Sequence, residues 1–388
     1  MRLSAGVVLL IIRTRPGRVN ATGAMVAVGS VELELGRELG RMRESTADMS
    51  NADLRERLRQ DGYVLLRGVV PRAQVLAARR HIVGEMQRVG WAAPGAKDSV
   101  LAPAVGSEQP PSLLYLHEGA EVGAGGDPAQ LNGGVARFRP STDEAGPKSF
   151  IRNPAVERVV EGPEMHSMLG RLLSVPAVKT LDYKWLRMMM PGQTTSFHVD
   201  HCFFHEDYRP GQRMSQREGD EQGTPSMLTA WIPWCDTDIN TGGLAVLRGS
   251  NSLPGFQRLR ESYCDVDVSN TDISDASFFT QDPRLLASYD ARAQWKTADY
   301  RAGDALIFSL HTFHGGVVNR STEPARVRLS SDIRYFAQTQ PMDPRYSLPR
   351  RAQRENVYSG GAWRTMAEAT VEWGLADHHR ASSSSSKL

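Results

Sequence analysis

Cysteine is scarce in this chain: Cys202, Cys235 and Cys264 are the only three in 388 residues, odd in number, far apart and without a CxxC pair. That pattern argues against a disulfide framework and a zinc–cysteine site, and makes a reducing compartment the natural home. Long apolar runs are missing too. No stretch approaches the ~20 apolar residues of a membrane helix, so no membrane span is expected. Neither sign of charge dominates, since 46 basic against 44 acidic residues give a net charge of +2. Such a balance offers no basic stripe for a polyanion, and a nucleic-acid partner is not expected. No internal repeat is evident. What remains, 40% hydrophobic and 23% charged residues, is the composition of a soluble globular protein with a sizeable core.

The two ends carry different signals. Ala5 to Ile12 is apolar and is followed by Arg13, Arg15 and Arg18, a weak resemblance to a targeting leader. A loosely held terminus is the simpler reading. The chain closes on a serine run and then Ser386-Lys387-Leu388. A terminal Ser-Lys-Leu is an address read by the peroxisomal import receptor, and a flexible serine run would present it. The expected location is the peroxisomal matrix, with the cytoplasm as the alternative. Asn20-Ala-Thr22 and Asn319-Arg-Ser321 match the glycosylation pattern, but a reducing compartment makes both matches incidental.

Three regions follow from the patterning. Residues 1–50 show little periodicity and are expected to be poorly ordered. From 51 to 340 the pattern is that of one folded domain. It begins with a helix capped near Asn51, a strand from Tyr63 to Val70, and a helix after Pro71 that stops near Gly90. A glycine-rich loop is expected over 119–147, then a helix from Pro154 to Leu173. Short β-rich runs follow at Lys184–Met190, Thr195–Phe204, Ser226–Pro233, Leu244–Leu247, Asp304–Phe308 and Val327–Phe336. Several short strands separated by turn residues indicate a sandwich or barrel. Residues 341–388 form a C-terminal extension.

The chemistry is concentrated in His198-Val199-Asp200, His314 and Arg328-Leu329-Ser330. Side chains two apart on a strand share a face, so one strand can offer both His198 and Asp200 to a metal. Two imidazoles and a carboxylate form the set that holds iron(II) while leaving coordination positions open. The third ligand must then come from a distant strand. His314 and His311 both stand there, on opposite faces of a regular strand. An arginine fork suits a fixed carboxylate. Arg328 with Ser330 supplies an Arg-x-Ser face, and the serine can share the anion. Arg326 has the same facing and stays a rival. Trp231 either flanks a bound anion or packs the core. His201 faces away from the pair, and His205 is read as a surface residue. Arg345, Arg350, Arg351 and Arg354 are read as a solvated face.

Between these segments lie LTAWIPWCD from Leu228 to Asp236 and GGLAVLRGS from Gly242 to Ser250. Further on lies GDALIFSLHTFHGGVVNRS from Gly303 to Ser321. In these the sequence resembles the phytanoyl-CoA dioxygenase family of iron(II)/2-oxoglutarate oxygenases, over roughly Leu54 to Phe336. The resemblance implies a mainly β fold with flanking helices, a double-stranded β-helix (a jelly roll, cupin-like) with the metal at one open end. It implies His198, Asp200 and His314 as iron ligands, the glycine after His314 and Asn319 favouring His314 over His311. Arg326 lies closer than Arg328 to the family's usual arginine spacing. Asn251 stands where many relatives have histidine. Asp200 is retained where related halogenases carry a small residue, which favours hydroxylation.

The implied function is an iron(II)- and 2-oxoglutarate-dependent dioxygenase that consumes O2, with ascorbate stimulating it. It would hydroxylate a small-molecule or acyl substrate. A fatty acyl-CoA attacked next to its carbonyl would fit the peroxisomal address and fatty acid metabolism. The alternatives are a hydroxylase of a non-lipid small molecule and a non-catalytic metal-binding jelly-roll protein.

Overall fold

The computed structural model describes residues 23–88, 153–181, 184–201, 225–263, 279–321, 326–341 and 366–374, with the short strands 113–116, 120–121 and 139–140. In chain order the strands are β1 (Met25–Val28), β2 (Val31–Glu34), β3 (Leu39–Arg41), β4 (Glu44–Ser45), β5 (Tyr63–Leu66), β6 (Leu113–Leu116), β7 (Ala120–Glu121) and β8 (Arg139–Pro140). After them come β9 (Val178–Thr180), β10 (Lys184–Met189), β11 (Met227–Pro233), β12 (Leu244–Arg248), β13 (Gln294–Thr297), β14 (Ala305–Ser309), β15 (His314–Gly316) and β16 (Arg328–Ala337). The helices are α1 (Asn51–Asp61), α2 (Arg72–Arg88), α3 (Pro154–Val160), α4 (Pro163–Leu173), α5 (Gln257–Tyr263), α6 (Pro283–Ala287) and α7 (Met366–Glu372).

The larger sheet runs β4-β5-β14-β11-β16-β10-β6, with β9 also paired to β16, and the smaller runs β15-β12-β13-β3. Tyr63, Leu65, Trp231, Leu306 and Phe308 of the first meet Leu244 and Val246 of the second in one buried cluster. The two sheets therefore face each other across a shared core. With helices on the outside, this is the expected mainly β double-stranded β-helix, a cupin-like jelly roll.

The alternation along β11 and β16 explains how the layers assemble. Leu228, Ala230, Ile232, Leu329, Ile333 and Tyr335 point outward into a cluster with α1 to α4. Burying each large aliphatic side chain there contributes roughly 1.5–3 kcal/mol. The residues between them, Thr229 and Trp231 on β11 and Arg328, Ser330, Asp332 and Arg334 on β16, point the other way and are also buried. A strand with a polar inner face is costly unless those groups find partners or ligands. On β16 that face leads to the site.

Local signals set the helix ends. Ser50, one residue before the expected cap, is the N-cap of α1 and accepts from the Asp53 N–H, and Gly62 ends it at φ 79°. The helix expected from Pro154 to Leu173 is instead two, α3 and α4, broken at Glu161 and Gly162 ahead of Pro163. Proline at a first helical turn starts a helix but cannot continue one. The strand expected from Tyr63 to Val70 ends at Leu66.

Residues 1–50 were expected to be poorly ordered and outside the domain. The structure differs from Met25 onward. β1 and β2 form a hairpin, β3 pairs in parallel with β13, and β4 pairs in parallel with β5. Leu33, Leu35 and Leu39 are buried. The reason is that strands of two to four residues take their stability from partners far along the chain, which local periodicity does not register. Within the C-terminal extension, α7 and Trp373 join the cluster behind the smaller sheet, where the Trp373 ring lies 4.8 Å from Phe279. The leader 5–18, most of the loop 119–147, Gly90, Cys202, Cys264, His205, the four arginines 345–354 and Ser386-Lys387-Leu388 lie outside the described residues.

Candidate active site

Within the expected strand Thr195–Phe204, Phe197 and His198 form antiparallel bridges, to Thr280 and His314 respectively. The backbone N–H of His198 donates to the His314 carbonyl, and that of His314 to the His198 carbonyl, both at 3.0 Å. The two imidazoles therefore start from directly opposite positions, and their ring centroids are 4.3 Å apart. Gly315 permits this approach, because a Cβ there would sit 2.5 Å from the Phe197 ring and 3.0 Å from the Thr195 carbonyl oxygen.

The orientation of each ring is set from behind. The His198 Nδ1 lies 2.9 Å from the Ser196 carbonyl oxygen, and the His314 Nδ1 lies 2.9 Å from that of Thr312. A carbonyl only accepts, so each Nδ1 carries the proton and each Nε2 presents a lone pair. These Nε2 atoms lie 3.8 and 3.9 Å from Asp200 Oδ1. One donor atom from each of the three buried residues falls within 4.8 Å of the others. This is the one such group of three among the described residues.

Burial and neighbouring charges together tune all three toward metal binding. Burial pushes the His198 imidazole down to about 3, with His314 adding to the fall. His314 is lowered as well, chiefly by burial. Burial alone would raise the Asp200 carboxyl, but Arg334, His314 and His198 outweigh it and hold the group below the usual carboxylate range. Neutral imidazoles and an ionised carboxylate are the protonation states a divalent metal requires. Two nitrogens and a carboxylate oxygen match the facial set that holds iron(II) with positions left open, and differ from the thiolate-rich, fully tetrahedral structural zinc sites.

The rival third ligand stands elsewhere. His311 precedes β15, and its ring packs edge-on against His201 with centroids 3.9 Å apart. The structure thus gathers His198, Asp200 and His314, and pairs His311 with His201 instead.

Two residues absent from the sequence reading contact Asp200 directly. Thr229 Oγ1 donates to Asp200 Oδ2 at 2.7 Å, and Arg334 Nη2 donates to the same oxygen at 2.9 Å. Their period-2 placement on β11 and β16 was visible, but nothing local tied them to a carboxylate from another segment.

The two candidate arginines separate clearly. Arg328 is 1% exposed, whereas Arg326 is exposed and lies 3.7 Å from Asp238. Arg328 Nη1 donates to the Gly242 carbonyl at 3.0 Å, and its guanidinium lies 5.6 Å from the Trp231 ring centroid. Burial, with Arg187 adding to it, pushes Arg328 down to about 10, which still leaves it cationic at neutral pH. Among the described residues no carboxylate pairs with Arg328, and its Nε, Ser330 Oγ and Trp231 Nε1 are buried without hydrogen-bond partners. A buried cation beside three unmet donors is costly unless an anion joins it. The carboxylate of 2-oxoglutarate has the charge and acceptors to fill that gap. Trp231 packs on Tyr300 with ring centroids 4.6 Å apart, and its ring also flanks the arginine.

Other expected positions have structural roles. Asn319 is fully buried, its amide donating to the Met189 and Arg326 carbonyls and its oxygen accepting from Ser321. It ties β10 to the start of β16, and so bound it is no glycan acceptor. Asn251 donates to the Arg59 carbonyl at the end of α1.

The family model described as phytanoyl-CoA dioxygenase (PhyH) matches residues 58–327. No protein of curated function matches the chain. Among solved structures, the non-heme alpha ketoglutarate dependent carbocyclase SnoK from nogalamycin biosynthesis is similar at 17% identity, over 76% of this chain and 88% of that one, with a TM-score of 0.43. EctD from S. alaskensis, solved with 2-oxoglutarate and 5-hydroxyectoine, is similar at 13% identity, over 79% and 85% of the two chains, with a TM-score of 0.45. AviO1 from Streptomyces viridochromogenes Tue57 is similar at 15% identity, over 76% and 98%, with a TM-score of 0.42.

Proposed function

The chain belongs to the phytanoyl-CoA dioxygenase family and is a 2-oxoglutarate-dependent dioxygenase; from that premise we propose that it hydroxylates a fatty acyl substrate, an acyl-CoA at the carbon next to its carbonyl, in the peroxisomal matrix. The observation that carries the oxygenase chemistry is the convergence of one donor atom each from His198, Asp200 and His314 within 4.8 Å. The acyl substrate is supported by the family and by the terminal Ser386-Lys387-Leu388, which matches the peroxisomal address.

His198 and His314 would hold iron(II) through Nε2 and Asp200 through Oδ1, a three-residue set that leaves further coordination positions to the cosubstrate and O2. Iron, with 2-oxoglutarate and O2, would supply the oxidation: 2-oxoglutarate yields carbon dioxide and succinate, which takes one atom of O2, and the other atom is inserted into a substrate C–H bond to give C–OH. The protein binds, orients and excludes water. Arg328 would take the distal carboxylate of 2-oxoglutarate and Ser330 Oγ would add a neutral donor, with the Trp231 ring beside the guanidinium at 5.6 Å. The backbone carbonyls of Ser196 and Thr312 keep both imidazoles in the ligating tautomer. Burial of all three ligands keeps bulk water from the centre.

The test incubates the purified protein with iron(II), ascorbate, 2-oxoglutarate and a panel of acyl-CoAs, free fatty acids and non-lipid acids. Mass spectrometry then seeks a gain of one oxygen with matching succinate. Hydroxylated acyl-CoA is the expected product. A product formed only from non-lipid acids overturns the acyl assignment, and unchanged succinate production by Asp200→Ala overturns the iron site. Location is tested separately. Deleting Ser386–Leu388 should leave a tagged protein in the cytosol, and continued peroxisomal staining refutes the address.

A further inference from the structure

Building on the iron site proposed above, we infer that Arg334 and Thr229 are positioning residues that hold Asp200 to one-oxygen metal binding. Thr229 on β11 and Arg334 on β16 are direct cross-strand partners. Both side chains point to the inner face, and both donate to a single atom, Asp200 Oδ2, at 2.7 and 2.9 Å. The other oxygen, Oδ1, is the one near the His198 and His314 Nε2 atoms. The sheet register thus divides the carboxylate, giving Oδ2 to the protein and Oδ1 to the metal.

A carboxylate has about four lone-pair sites and can grip a cation with both oxygens. For Asp200 to do so, Oδ2 would have to leave a charged hydrogen bond to a guanidinium that is 3% exposed. Breaking a buried pair in that way strands the cation and is strongly unfavourable. Arg334 cannot follow the carboxylate, because it is fixed on three sides. Its guanidinium lies 4.6 Å from the Trp185 ring centroid, Nη1 reaches the Asp332 carbonyl at 3.4 Å, and the backbone is held in β16. The consequence is one coordination position per ligand residue. The position that a two-oxygen Asp200 would occupy stays available to the cosubstrate or O2.

The experiment uses Mn(II) as the probe on the full-length protein without 2-oxoglutarate. Water-proton relaxation at saturating metal counts the exchangeable waters on the ion. Arg334→Met should lose one exchangeable water, as Asp200 swings to two-oxygen binding, and Arg334→Lys should recover it. Thr229→Val, which keeps shape and burial, should lose part of the same signal and decides the matter if Arg334→Met does not fold. A wild-type water count in Thr229→Val and in folded Arg334→Met overturns the inference while leaving the iron site intact. Asp200→Ala is the control and should lose Mn(II) binding. Wild-type Mn(II) affinity in that variant overturns the iron site itself, and the inference with it.

Discussion

His198 and His314 face each other across a two-way backbone hydrogen-bonded bridge, each N–H reaching the other's carbonyl at 3.0 Å. The metal-binding geometry is therefore a property of strand pairing first and of side chains second. Moving one strand by a residue would turn one imidazole to the opposite face, since successive side chains alternate.

Gly315 is the point at which that pairing is most exposed to a single substitution. Gly315→Ala brings a Cβ to 2.5 Å from Phe197 and 3.0 Å from the Thr195 oxygen. The expected cost is about 1–3 kcal/mol of stability, with weaker metal binding because His198 moves with Phe197. Thermal melts and a Mn(II) titration check it. Wild-type values for both would show that the strands approach less closely.

Arg328 and Arg326 should behave as different kinds of residue. Replacing Arg328 by Met removes the buried cation proposed to take the distal carboxylate. The expected loss is about 2–5 kcal/mol of 2-oxoglutarate binding, roughly 30-fold or more in KM. Arg326 is exposed beside Asp238, and such pairs contribute about 0–1 kcal/mol. Arg326→Met should leave that KM within a few-fold of wild type. The opposite ranking, measured by succinate release, would move the role to Arg326.

Acid should destabilise the metal-free protein well above the carboxylate range. His198 is lowered from its usual value near 6.5 to about 3, by burial and then by His314. Below about pH 6.5 the unfolded chain binds a proton that the folded one refuses, so stability falls as pH drops toward about 3. His314 is lowered in the same direction. Asp200, also lowered, adds a loss below about pH 4, where the unfolded carboxyl protonates first. Melting temperature measured from pH 7.5 to 5.0 should decline, and His198→Gln should flatten the decline. A flat wild-type profile refutes it.

Truncation tests the N-terminal strands. A chain beginning at Asn51 lacks β3 and β4, and loses the buried side chains of Leu33, Leu35, Leu39 and Met42. At roughly 1.5–3 kcal/mol for each buried side chain, the loss rivals the 5–15 kcal/mol that holds an ordinary domain. The truncated protein should be insoluble or melt far lower, as solubility and calorimetry would read. A truncated chain with wild-type melting would mean these strands are ornamental.

The sequence by itself determined the parts that obey local periodicity. His198 and Asp200 share a face because they are two apart, and the β-rich runs fall close to β10, β11, β12, β14 and β16. The glycine after His314 was readable as part of a motif, and its physical reason, clearance for Phe197, came from the fold. Only the tertiary structure separated Arg328 from Arg326, which alternation places on the same face. Regular pairing begins at Arg328, so burial separates them. Only the fold supplied Thr229 and Arg334, because their shared partner Asp200 arrives from another segment and no local pattern records a non-local contact. The same physics hid β1 to β4, whose strands are too short to show a period and are stable through distant neighbours.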